Sequence, residues 1–181
     1  DIDDKIIKKA IVDNVGYKVV TENFIKEMDH DAEQLGIIPP TLEPKATDHI
    51  EEMIKMIEDL ISKGYENKAE NNEVFYAISK FESYGKLSGK SLKDLRAGSR
   101  VEVDEFKRDN NDFVLWKSAK PNEPSWDSPW GDGRPGWHIE CSTMSNKLLG
   151  KTFDIHGGGQ DLQFPHPVSY THLTLPTTPY V

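Results

Sequence analysis

Residues 133–166 read GRPGWHIECSTMSNKLLGKTFDIHGGGQDLQFPH, and the order of elements in this run sets the fold class. WHIECSTMSNKLLG (137–150) is a turn leading into a helix that Gly150 closes. FDIH (153–156) reads as a short strand, as does FVLW (113–116) upstream. A strand, helix, strand succession with glycines directly after the last strand is the pattern of an α/β sheet with a ligand crevice at its strand ends. The glycines at 157, 158 and 159 have a physical use there, because backbone without a Cβ approaches a nucleotide closely. Asp161 is placed to accept hydrogen bonds from ribose hydroxyls. The run is not a P-loop, since no G-K-[ST] ending follows.

The same stretch gathers polar chemistry. His138, Glu140, Cys141, His156, Asp161 and His166 all fall in it, and cysteine and histidine are the ligand types zinc prefers. A structural zinc site usually shows close cysteine pairs, whereas the interval from Cys141 to His166 is one that only tertiary folding closes. Spacing alone favours a buried free cysteine beside hydrogen-bonded histidines. A weaker alternative is a thiolate nucleophile at Cys141, which needs a partner that lowers its pKa. All four tryptophans also lie between 116 and 137, a crowding that core packing accounts for equally well.

Working outward, the whole chain has 181 residues, 36% hydrophobic and 29% charged. That is one ordinary domain or a piece of something larger, long enough to bury a core. No apolar run approaches the roughly 20 residues needed to span a bilayer, so no membrane is expected. The start, DIDDKIIKKA, lacks the pattern of a secretory signal and an initiator Met, which suggests a piece of a longer chain. The single cysteine excludes an internal disulfide and fits a reducing, cytoplasmic setting. A formal net charge of -9 argues against nucleic-acid binding through a broadly basic surface. The small clusters Lys5, Lys8, Lys9 and Lys86, Lys90, Lys93, Arg96 read as solvated helix faces.

Upstream, Ile6, Ile7, Ala10 and Ile11 have helical spacing. TENFIKEMDHDAEQLG (21–36) follows as a second helix, with Thr21 as the expected N-cap and Gly36 as its stop. Prolines 39, 40 and 44 hold IIPPTLEPKA (37–46) extended or turned. TDHIEEMIKMIEDLISKG (47–64) shows the cleanest period, with Ile50, Met53, Ile54, Ile57, Leu60 and Ile61 on one face and Gly64 after it. Short β-like runs at NEVFYAISKF (72–81) and RVEVDEF (100–106) flank an excursion, SYGKLSGKSLKDLRAGS (83–99).

GRPGWHIECSTM followed by LLGKTFDIHGGGQDLQFPH resembles the catalytic domain of the cysteinyl-tRNA synthetases, a class I aminoacyl-tRNA synthetase family. The resemblance extends through DIDDKIIKKA, LEPKATDHIEEMI, YGKLS, AGSRVEV and DFVLWKSAKPNEPSWDSPWG, covering residues 1–166. It implies a partial Rossmann-like α/β catalytic domain with a connective α+β insertion. Residues 1–17 are then a helical part of the nucleotide-binding fold, 18–103 a helical region with the insertion, and 104–166 the second part of that fold. Residues 167–181 are a non-homologous tail, read as artefactual.

The resemblance also implies a chemistry. In the family, L-cysteine is activated by ATP to cysteinyl-adenylate and passed to tRNA(Cys), and an active-site Zn2+ held by two cysteines, a histidine and a glutamate binds the substrate sulfur. Cys141 matches the second of those cysteines and His166 the histidine; Trp137 matches a residue lining the amino-acid pocket. Gly158, Gly159 and Asp161 match the segment that holds the ATP-derived adenylate, which His156 begins. The family's first zinc cysteine and HIGH motif would precede Asp1, its KMSKS loop would follow residue 181, and its fourth ligand falls where the tail departs from the pattern. On that reading the chain is an inactive fragment of such a ligase. The alternatives are a non-catalytic truncated domain, or a fragment of the related cysteine ligase of mycothiol synthesis; the extended 76–103 stretch reads like the synthetase.

Overall fold

The computed structural model describes residues 1–69, 71–81, 109 and 112–158. Helix α1 spans Asp4–Asp13, α2 Tyr17–Gln34 and α3 Ile50–Ser62. Four strands follow, β1 Glu66–Lys68, β2 Val74–Tyr76, β3 Phe113–Ser118 and β4 Gly133–Pro135, and α4 is Trp137–Leu149. The architecture is mixed helix and sheet.

The helix ends show why these segments stop where they do. Asp3 caps α1 by accepting from the Ile6 N–H at 2.8 Å, satisfying one of the donors a helix start leaves free. At the other end of α2, Gly36 adopts φ +68; its N–H reaches Glu33 O at 2.9 Å and the Ile37 N–H reaches Ala32 O at 2.9 Å. The same paired closure recurs after α3, where Gly64 has φ +79 and Tyr65 N–H reaches Leu60 O at 3.1 Å. Both are Schellman endings, which glycine allows without a Cβ penalty.

Helix α2 starts earlier than Thr21. Gly16 occupies the cap position with no side-chain bond, and Thr21 lies inside the helix, its hydroxyl donating to Tyr17 O at 3.0 Å and to Asp1 O at 3.2 Å. A threonine that satisfies itself on the carbonyl one turn back loses its value as a start signal.

The sheet has the order β1-β2-β3-β4, every neighbouring pair antiparallel. Register places Asn67 opposite Phe75, Tyr76 opposite Phe113 and Trp116 opposite Pro135, with an irregularity between Val74 and Phe75. Residues 153–156, expected as a strand, lie outside any strand, with a bend at Asp154, and Ile155 is 88% exposed. A strand needs a ladder partner, and none of the described residues supplies one there. The RVEVDEF run and the whole of the 83–99 excursion lie outside the described residues.

The core forms between α3 and the sheet. Ile50, Met53, Ile57 and Leu60 bury the predicted face of α3 against Val74, Tyr76, Phe113, Leu115 and Trp116, and Ile139 of α4 closes the cluster. Tyr76 is sandwiched by Tyr65 and Phe113, with centroids 6.0 and 5.1 Å away. Asp112, buried just before β3, accepts from Asn67 Nδ2 at 2.7 Å and from the Ile78 N–H at 3.1 Å, tying β1 and the turn after β2 to the start of β3. Burial pushes its carboxyl above the usual range, with these hydrogen bonds opposing. None of the described helices is long and apolar enough to cross a membrane.

Candidate functional site

The candidate residues hang on α4, and α4 hangs on β4. Strand β4 presses so closely on β3 that a Cβ at Gly133 would sit 2.4 Å from Lys117 O, and one at Gly136 would sit 2.0 Å from Val114 O. Gly136 donates to Leu115 O at 2.8 Å and turns directly into α4. Glu140 in the first turn and Lys147 in the last complement the helix dipole. Gly150, at φ +85, ends the helix as the sequence predicts.

One side of α4 is fixed to the core through Ile139, Ser142 and Thr143, and Thr143 Oγ1 lies 3.4 Å from Met56 Sδ on α3. Lys147 pairs with Glu52 of α3. Trp137 and Cys141 are four apart, so they are neighbours one turn apart on the helix surface. Trp137 is 53% exposed and Cys141 half-buried. The His138 ring is 5.1 Å from Phe113, edge to face, and 5.4 Å from Trp137, so the indole stands on a ring that is itself seated against β3.

Electrostatics bear on the thiol. Burial pushes the Cys141 thiol up, and the charge of Glu140 adds to it. Burial also pushes the Glu140 carboxyl up to about 7, with Asp3 adding and the amino terminus and Arg134 opposing. A nucleophilic cysteine requires the opposite shift, so these surroundings do not support the thiolate-nucleophile alternative.

The other candidates lie past α4. His156 is exposed, its ring 6.2 Å from Phe153. A Cβ at Gly157 or Gly158 would meet nothing, so the described chain leaves this backbone open to approach from outside. Gly159, Asp161 and His166 lie outside the described residues. The structure therefore brings Trp137 and Cys141 onto one helix and leaves His156 and Gly158 in the segment beyond it. No group of three or more His, Cys, Asp or Glu side chains among the described residues comes together to hold a metal. Of the two residues matched to zinc ligands, only Cys141 lies among the described residues, and its thiol by itself is not a zinc site.

Sequence reasoning missed a charged cluster under this helix. Asp4 of α1 accepts from Lys117 Nζ at 3.0 Å and from Arg134 Nη2, and Arg134 Nε lies 3.9 Å from Glu123 Oε2. Burial raises the Asp4 carboxyl, but the two cations outweigh it and hold it below its ordinary value. The burial of Arg134 explains the cluster, since buried arginines are paired, but nothing in the sequence announces that burial.

Residues 1–170 match the family model described as the tRNA synthetases class I (C) catalytic domain. The chain belongs to that family. Among curated relatives of this class I synthetase domain are the cysteine–tRNA ligases of Methylobacillus flagellatus, 64% identical, and of Thioalkalivibrio sulfidiphilus, 61% identical, each over 166 residues. These alignments cover 92% of this chain and 36% of each relative. The ligase of Neisseria meningitidis serogroup B is 61% identical over 92% of the chain and 35% of its own length. The synthetase domain chain thus spans about a third of the length of the curated relatives it matches.

Proposed function

We propose that this chain is a portion of a cysteine–tRNA ligase, contributing part of the site that activates L-cysteine with ATP and passes it to tRNA(Cys). The observation that carries the reading is the match of a cysteine-class synthetase domain across nearly the whole chain, with relatives above 60% identity that bear that name. The same name favours tRNA over an amino sugar as the acceptor. In this reading the 181 residues alone do not turn over. The partial Rossmann-like organisation, with its boundaries at 17, 103 and 166 and the distinct tail after 166, belongs to the same proposal.

Roles follow from the resemblance and from chemistry. Trp137, exposed at the start of α4, lines the amino-acid pocket. Cys141 and His166 are zinc ligands; a zinc ion bound there supplies a soft centre that prefers a thiolate to a hydroxyl. His156, Gly158, Gly159 and Asp161 hold the adenylate, and the open space around Gly158 suits close approach of a ligand to backbone. In the first step a cysteine carboxylate oxygen attacks the α-phosphorus of ATP and pyrophosphate leaves. In the second, a hydroxyl of the terminal adenosine attacks the adenylate carbonyl and AMP leaves. Positioning and phosphate electrostatics, rather than protein nucleophiles, supply the rate.

The test is a chimera in which residues 1–166 replace the matching segment of the Methylobacillus flagellatus relative. Cysteine-dependent exchange of pyrophosphate into ATP is expected, with serine inactive. Elemental analysis is expected to find zinc that Cys141→Ala removes. A folded chimera that exchanges with no amino acid, or equally with serine, refutes the reading.

A further inference from the structure

Across β3 and β4, Lys117 and Arg134 are register partners. Cross-strand partners point to the same face, and like charges directly opposite repel. The conflict is sharpened by burial, because the Arg134 side chain is only 6% exposed and that of Lys117 26%. Both cations are served by one carboxylate from the other end of the chain. Asp4 Oδ2 accepts from Lys117 Nζ at 3.0 Å and Asp4 Oδ1 accepts from Arg134 Nη2, while Glu123 stands 3.9 Å from Arg134 Nε.

Strand β4 is three residues long, so it has few ladder bonds with which to resist that repulsion. Directly after it come Gly136 and Trp137, and one turn later Cys141. From this arrangement we infer that Asp4 is a positioning residue: by bridging Lys117 and Arg134 it holds β4 against β3 and so fixes the first turn of α4. The importance of that turn for catalysis rests on the proposed ligase function. The mechanical claim does not, and it has its own readout.

Cys141 is the sole cysteine of the chain and is half-buried one turn beyond the turn in question, on the same helix. Its rate of reaction with dithiobis(nitrobenzoate) therefore reports local opening of α4 in the 181-residue chain, without zinc, ATP or turnover. Asp4→Asn is expected to raise that rate about tenfold, as a local opening becomes easier by one decade. Adding Lys117→Gln removes the repelled partner and is expected to return the rate to near that of the parent, as is Asp4→Glu. A purely global loss of stability would not be reversed by deleting a second salt-bridge partner. An unchanged rate in Asp4→Asn, or a raised rate that Lys117→Gln fails to lower, overturns the inference. Should Asp4→Asn not fold, recovery of folding in the double variant supports it and failure of the double variant overturns it. Exchange activity of the chimera is independent of these outcomes, so refutation of the ligase reading and of the Asp4 role are separately visible.

Discussion

Gly136→Ala tests whether the contact between β4 and β3 is as close as the structure has it. The backbone there, φ -73 and ψ 151, is one that any L-residue adopts, so alanine meets no dihedral penalty and even loses less entropy on folding, a gain of about 0.4–1 kcal/mol. The obstacle is space. The added methyl carbon lands 2.0 Å from Val114 O and 2.7 Å from Val114 C, atoms of backbone that no rotamer change can move aside. The strands must part by roughly 1 Å to relieve it, an overpacking cost of about 1–3 kcal/mol. The Gly136 N–H to Leu115 O bond, 2.8 Å long, is lost with the separation, for about 1 kcal/mol more. The net expectation is a destabilisation of about 2–3 kcal/mol, read by urea unfolding through tryptophan fluorescence, for which fully buried Trp116 is a reporter. Gly157→Ala is the control, since a Cβ there meets nothing, and its effect should stay within about 0.5 kcal/mol. If the two variants unfold at the same urea concentration with the same slope, the close-approach argument is wrong.

Asp112→Ala deprives Asn67 Nδ2 and the Ile78 N–H of their acceptor and should cost about 3 kcal/mol near neutral pH, measured in the same assay. Because burial raises the Asp112 carboxyl, the folded chain holds that proton to higher pH than the unfolded chain. This contribution to stability is full below the ordinary carboxylate range and falls as pH rises through the raised value; Asp112→Asn should remove that part of the slope in a pH series of unfolding curves. Leu60→Ala, at a position 1% exposed, is expected to cost about 2–5 kcal/mol, whereas Ile38→Ala, 87% exposed, should be silent within about 0.5 kcal/mol; thermal melts of the pair check both. Gly16→Ser supplies the side-chain acceptor that the start of α2 lacks and should stabilise by a few tenths of a kcal/mol, roughly, seen as a small rise in melting temperature.

How much of this was legible in the sequence depended on the range of the interaction. Helix α3 was fully visible, because its apolar residues repeat with the helical period and Gly64 must take φ +79 to end it. Helix α4 was visible through the turn that leads into it and through Gly150, which closes it. The start of α2 was misread because Thr21 has the chemistry of a cap, and only the structure shows its hydroxyl turned back onto Tyr17 O. The antiparallel order of the sheet was not legible at all: β1, β2 and β4 have three residues each, too few for a period of two to declare itself. For the site, Trp137 and Cys141 are proposed through resemblance, and their shared helix surface follows from spacing. The Asp4, Lys117 and Arg134 cluster was invisible because its members are brought together by tertiary folding across more than a hundred positions.

The sandwich of Tyr76 between Tyr65 and Phe113 has a dynamic consequence. With planes inclined by only 18° and 17° to its neighbours and no solvent exposure, the Tyr76 ring can rotate about its long axis only when both neighbours draw apart. In a close-packed interior that is a cooperative breathing motion rather than a side-chain hop. In a proton NMR spectrum the two sides of the ring then become inequivalent on cooling and resolve into separate signals. Their coalescence temperature measures how often the sheet beneath α4 opens.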